Sequence, residues 1–180
     1  MDHSTSTSAT ESTSRIQQVF FKQRAASRKN PYTSLETRLQ NLDKLKNVLL
    51  ENQSAIADAI NADFGCRCPQ ETRLLEVFGL LGGIGHTQKQ LKKWMKPQKR
   101  HVGLAYFGAK NTVIPQPKGV VGVVAPWNYP LFLALSPVIS AMGAGNRCIV
   151  KMASNSQTLC RLMDKLLSAV IDEDTLAIIP

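Results

Sequence analysis

The sequence has 180 residues, a net charge of +9, 43% hydrophobic and 19% charged residues. Such a chain can bury roughly two-thirds of its unfolded surface, and the balance is that of a globular protein, not a disordered one. No apolar run reaches the roughly 18 residues of a membrane-spanning helix; the longest, Leu131 to Ala144, is interrupted by Pro137 and Ser140, so no membrane partner is expected.

Residues 1–14 are mostly Ser and Thr with no apolar core. They read as a disordered tail rather than a signal peptide. Arg15 to Lys29 carries five cations and no acid, a pattern shared by mitochondrial presequences and ordinary first helices. Ile16, Val19 and Phe20 mark a short helix there, closed by Pro31. Thr33-Ser34-Leu35-Glu36 reads as a capping box opening a helix with Leu35, Leu39, Leu42 and Leu49 on one face. Asn52 or Ser54 can cap the next, whose face is Ile56, Ile60 and Phe64 and whose stop is Gly65. From Pro69 a longer helix is expected to about Met95, with Gly82-Gly83 as a soft point or a site of close packing and Pro97 beyond its end. These segments make an N-terminal helical layer over 15–100.

From His101 the pattern changes. Val102, Leu104 and Tyr106 alternate, Gly108 to Lys110 make a turn, and Thr112 to Ile114 resume an extended run. That predicts a hairpin arm over 101–118, stopped by Pro115 and Pro117. Val120 to Val124 is apolar on both faces, as a buried parallel strand requires. A loop through Asn128, a helix over 131–144, a strand Cys148 to Val150, a helix from Asn155 or Ser156 to about Val170, and a strand from Thr175 follow. Strand, helix, strand, helix, strand predicts an α/β fold with a Rossmann-like parallel sheet. Because the last strand has no helix after it to cover it, the domain over 119–180 is expected to be incomplete and the chain a truncated one.

The charge is uneven, with no acid between Glu76 and Asp164 and a dense run Lys89, Lys92, Lys93, Lys96, Lys99, Arg100. Only Trp94 accompanies it, so a solvated helix face is expected and no nucleic acid. Cys66, Cys68, Cys148 and Cys160 follow no disulfide framework and give only one C-x-C pair. Reduced thiols, no metal and a cytoplasmic location are expected. His3, His86 and His101 are isolated. Glu71 and Glu76 sit early on a helix, where acids favour the N-terminal dipole. Neither G-x-G-x-x-G nor a phosphate-cradling G-x-x-x-x-G-K-[ST] occurs, and H-E-x-x-H and G-x-S-x-G are also missing.

Two segments carry chemistry: Gly119 through Val124-Ala125-Pro126-Trp127-Asn128-Tyr129-Pro130, and Ala144-Gly145-Asn146-Arg147-Cys148-Ile149-Val150-Lys151. With Asn61 to Gly65, the helix ending Trp94-Met95-Lys96-Pro97 and the hairpin at His101, they resemble the aldehyde dehydrogenase superfamily, most of all its coniferyl aldehyde dehydrogenase branch. The resemblance spans Gln17 to Pro180. It implies an oxidoreductase that converts an aldehyde to its acid with NAD or NADP, through a cysteine thiolate that adds to the carbonyl. Asn128 matches the asparagine whose amide holds the oxyanion, a donor worth about 3 kcal/mol of barrier in such sites. Lys151 matches the lysine that bonds the adenosine ribose. Val124, Ala125, Pro126 and Trp127 match the backbone along the nicotinamide–ribose edge, with Trp127 also expected to pack in the core.

The sequence departs from the family pattern at Met152-Ala153-Ser154, where an acid is usual. Ser154 in its place removes a repulsion of the 2′-phosphate and favours tolerance of NADP. The family's nucleophilic cysteine, general-base glutamate and glycine-rich cofactor turn match nothing here, so this chain alone is expected to be inactive. The resemblance also implies that the arm pairs between subunits in a homo-oligomer. A non-catalytic relic that joins a full-length partner is the alternative.

Overall fold

The computed structural model describes the backbone of residues 4–180 and the side chains of 14–180. Among the described residues seven α-helices and five strands follow in order: α1 Ser4–Lys29, α2 Leu35–Glu51, α3 Gln53–Phe64, α4 Pro69–Glu71, α5 Gly79–Trp94, β1 Gln98–Arg100, β2 Asn111–Val113, β3 Val120–Val124, α6 Pro130–Gly143, β4 Arg147–Lys151, α7 Gln157–Ser168 and β5 Leu176–Ile179. Among the described residues no helix is long and apolar enough to cross a membrane.

Strands β3, β4 and β5 form a parallel sheet in that order. Alternation sends Cys148, Val150, Leu176, Ile178 and Val123 to one face, where α6 and α7 join them to the main core with α2, α3 and α5. On the other face Val19 of α1 packs with Ile149, Ala177 and Ile179, flanked by Ile16 and Val120. Helices on both faces of a parallel sheet make the expected doubly wound arrangement. Gln23, fully buried on α1, fixes it by donating from Nε2 to the carbonyls of Cys148 at 2.9 Å and Glu173 at 3.0 Å. Lys22 adds an ion pair to Glu173 at 2.9 Å, and Arg15 another.

Several local expectations shift. Residues 1–3 of the expected tail lie outside the described residues, and from Ser4 the backbone is already helical. Once a helix is nucleated each further residue adds a hydrogen bond, so Ser and Thr can extend one they would not start. The cap of α2 is Ser34, whose Oγ accepts the Thr37 N–H at 3.1 Å, one residue later than the capping-box reading. Gly65 does end α3 in the left-handed region, φ +79°. Between α4 and α5 the helix widens into a π-helical stretch, Thr72–Phe78. It then continues through Gly82 and Gly83, where an added Cβ would meet nothing within 4 Å.

The hairpin arm forms, but its first strand is Gln98–Arg100, paired Gln98↔Val113 and Arg100↔Asn111. The apparent alternation at Val102, Leu104 and Tyr106 is a loop with a 3-10 turn over Leu104–Tyr106. Leu104, Tyr106 and Phe107 are exposed there, so the spacing that looked like a strand face serves no core. Gly122 and Val124, on the α1 side of β3, lie beyond the reach of that helix and are exposed. The strand therefore buries less than its unbroken apolar run suggests.

Candidate active site

The carboxyl ends of β3 and β4 lie level, with Val124 opposite Lys151. The Ala125 N–H donates to the Lys151 carbonyl at 2.9 Å, and the chains then diverge into two loops. One carries Pro126, Trp127 and Asn128; the other carries Met152 and Ser154. The Asn155 amide reaches the Trp127 carbonyl at 3.5 Å and ties the loops together. Thus Val124, Ala125, Pro126, Trp127, Asn128, Lys151 and Ser154 all sit on one edge of the sheet, where open α/β folds present ligand sites.

Within that edge their settings differ. Ala125 is buried, Asn128 and Lys151 are half-buried, and Pro126 and Ser154 are exposed. Trp127 is 68% exposed and Val124 82% exposed. Trp127 is therefore not a core residue, contrary to expectation. The two prolines and the tie from Asn155 hold its backbone over the edge, so its ring points out of the fold. Lys151 Nζ donates to the neighbouring Met152 carbonyl at 3.2 Å.

The loop is gripped from below by a residue the sequence did not single out. Arg67 donates from Nη2 to the Asn128 carbonyl at 2.7 Å. Its guanidinium pairs with Glu71 at 3.2 Å and lies over the rings of Phe64 and Tyr129 at 4.5 and 4.9 Å. Four attachments leave Arg67 little rotational freedom. The peptide of Asn128 inherits that order, and its side chain starts from a fixed Cα.

Two helices start beside these loops, and carboxylates already cap both. Glu76 Oε2 accepts the Leu131 N–H at 2.8 Å and the Phe132 N–H at 3.1 Å at the start of α6. Asp63 accepts the N–H groups of Thr158 and Leu159 at the start of α7, each at 2.9 Å. The expectation that Glu76 serves its own helix dipole is thus corrected. It sits in the π-helical stretch, fully buried, and its negative charge meets the positive end of α6. Burial pushes its carboxyl above the usual value, opposed by those two backbone hydrogen bonds. At the other end of α6, buried Arg38 donates to the Gly143 carbonyl at 3.1 Å. Opposite charges so bracket this helix along its dipole.

Cys148 and Cys160 are buried, and burial pushes their thiols up to about 12 and about 11. Cys66 and Cys68 are exposed and flank Arg67. Between α5 and α6, one turn past the Asn128 loop, lies a cleft of about 320 Å³ walled by Gly79, Gly83, His86, Trp94, Phe132 and Ser136. Its two glycines, Gly79 and Gly83, lie four residues apart on one face of the helix, a spacing visible in the sequence. The role of Arg67 carries no pattern in the sequence, because it depends on a contact 61 residues away.

Comparisons with known proteins identify the family. The model of the aldehyde dehydrogenase family matches residues 3–180. A Pseudomonas aeruginosa protein described as "Probable coniferyl aldehyde dehydrogenase" is 42% identical over 164 residues, covering 91% of this chain and 34% of its own. A "Coniferyl aldehyde dehydrogenase" from a Pseudomonas species is 38% identical over 143 residues, covering 79% of this chain and 29% of its own. The chain spans about a third of the length of these curated relatives. Among solved structures, the substrate-bound state of Staphylococcus aureus AldH superposes with a TM-score of 0.85 at 27% identity, over 90% of this chain and 35% of that one. The fold, the level strand ends and the match along almost every residue lead to one conclusion: this chain belongs to the aldehyde dehydrogenase family.

Proposed function

We propose that these residues are one half of an NAD(P)-dependent aldehyde-oxidising site, with Asn128 as oxyanion donor and Lys151 on the ribose of the cofactor. The pairing of Val124 with Lys151 carries this reading, because it sets the Asn128 loop beside the lysine at the ligand edge of the sheet. Asn128 stabilises the tetrahedral oxyanion with its side-chain amide, and Arg67 holds the peptide from which that amide extends.

The donor set suits part of the cofactor. Lys151 supplies a cation and a donor at the strand end, exposed Val124 offers an apolar surface, and Ser154 brings a hydroxyl in place of an acid. The N-termini of α6 and α7 are occupied by Glu76 and Asp63, so these helices are not where a pyrophosphate binds. When bound, NAD or NADP supplies the hydride acceptor. The residues of this chain hold its ribose edge.

The cleft between α5 and α6 is the place for the organic part of the aldehyde. The rings of Trp94 and Phe132, with His86 and Ser136 as polar contacts, suit an aromatic aldehyde bearing hydroxyl groups, such as coniferyl aldehyde. The chain's own cysteines supply no nucleophile, so the reading assigns catalysis to an assembly with a second, cysteine-bearing part. Either that part is covalent with this one, or the chain is a non-catalytic relic that pairs with a full-length subunit. The exposed Leu104, Tyr106 and Phe107 on the arm favour pairing of some kind.

The test is aldehyde-dependent formation of NAD(P)H by the purified 180-residue chain. No rate above buffer is expected. Turnover by this chain alone would refute the assignment of a half site.

A further inference from the structure

Cys66 and Cys68 are left unused by the aldehyde chemistry, and their placement is specific. Between left-handed Gly65 and Pro69 the chain is not helical, and Cys68 is extended at φ −64°, ψ 126°. Cys66 itself lies at the bend that follows Gly65. Burial distinguishes the three side chains: Cys66 and Cys68 are exposed, while the Arg67 side chain between them is only 12% exposed. The outward side therefore carries two thiols, Cys68 Sγ donating to Gln70 Oε1 at 3.0 Å. The inward side carries the guanidinium that holds the Asn128 carbonyl, Glu71 and the rings of Phe64 and Tyr129. Cys148 and Cys160 are buried with raised pKa values and remain inert to the same reagents.

We propose that Cys66 and Cys68 form a reversible dithiol–disulfide site that sets how tightly Arg67 holds the Asn128 loop. The oxidant is a low-molecular-weight disulfide such as glutathione disulfide. One thiolate attacks it, forming a mixed disulfide and releasing one small thiol; the second cysteine then displaces the other. Two protein thiols lose their protons and two electrons, one protein S–S bond forms, and two small thiols leave. A bridge between residues 66 and 68 closes a ring that contains the whole Arg67 backbone and holds the two Cα atoms about 5.5–6 Å apart. Closing it fixes the Arg67 backbone in a new conformation and so changes the direction from which the guanidinium reaches the Asn128 carbonyl. This is a property of the loop itself, and it stands whether or not the aldehyde reading holds.

The experiment treats the purified chain with glutathione disulfide, maps the bridge by peptide mass, and follows the Asn128 carbonyl by carbon NMR, since that oxygen accepts from Arg67. A Cys66–Cys68 bridge is expected, with the carbonyl shift moved toward that of an oxygen without the Arg67 donor and restored by dithiothreitol. The double variant Cys66→Ser/Cys68→Ser should keep the reduced-state shift in the same reagent. In Arg67→Ala the moved shift should be present from the start, and oxidation should add nothing. The proposal is overturned if only mixed disulfides form, if the bridge leaves the Asn128 carbonyl shift unchanged, or if oxidation still moves it in Arg67→Ala.

Discussion

At Asn128 the backbone carbonyl has a firm partner, which suits the oxyanion donor proposed for this residue. Arg67 fixes the carbonyl, and Asn155 fixes that of the preceding Trp127. Beneath them Glu76 has two tasks that pull its titration in opposite directions. Burial raises its pKa and the N–H groups of Leu131 and Phe132 lower it, with a net rise above 4.5. A carboxyl raised on folding binds its proton more tightly in the native state than in the unfolded one. Its contribution to stability is complete below the unfolded value and is lost as pH rises through the folded one. Urea denaturation of the chain from pH 4 to 8 should therefore show a falling component that Glu76→Gln removes; an unchanged profile in the variant contradicts it. Glu76→Ala leaves both N–H groups buried without an acceptor and should cost about 1–3 kcal/mol at pH 7. At Ser154 the outcome is one of selectivity. Ser154→Glu should weaken NADP relative to NAD in calorimetric titration, and equal discrimination by variant and parent would end the argument from charge.

Among the elements, α6 depends most on groups far away in the sequence. Its N-terminus is capped by Glu76 and its C-terminus by Arg38, 105 residues from the carbonyl it serves. Just past that end Gly145 has φ +85°, and a Cβ there would lie 2.6 Å from the Arg38 guanidinium. Gly145→Ala should destabilise the chain by about 1–3 kcal/mol through backbone strain and displacement of Arg38, read as a lowered thermal midpoint. A neutral result would mean that the left-handed turn is not required. Similarly, Asp63→Ala strips two N–H groups at the start of α7 and should cost about 1–2 kcal/mol.

These contacts mark the limit of what the sequence discloses. The period of apolar residues placed α2, α3 and α5, stops and caps placed α6 and α7, and the apolar runs placed β3, β4 and β5, because each of those signals is local. The edge carrying Asn128 and Lys151 was legible for the same reason: Lys151 ends β4, and Asn128 lies in the short loop that follows β3. Arg67, Arg38, Glu76 and Gln23 were not legible, since each acts on an element 55 or more residues distant. The arm misled in its own way. An alternating Val102, Leu104, Tyr106 resembles a strand face, yet in the fold the chain turns there and presents its large side chains to solvent.

For the molecule as a whole, a helical support holds one edge of the parallel sheet, the edge proposed as the ligand site. Helices α2, α3 and α5 share the main core with α6 and α7, while α1 closes the opposite face of the sheet. Residues on the helical side reach through to the edge: Arg67 to the loop, Glu76 and Asp63 to the two helix starts. The edge is therefore held in place by residues of this chain alone. Amide NMR of the 180-residue chain, titrated separately with NAD and NADP, tests this most directly. The account predicts saturable shifts confined to Val124–Asn128 and Lys151–Asn155, abolished by Lys151→Ala while the remaining spectrum is retained. Shifts centred elsewhere, or shifts at these residues that survive Lys151→Ala unchanged, would contradict it.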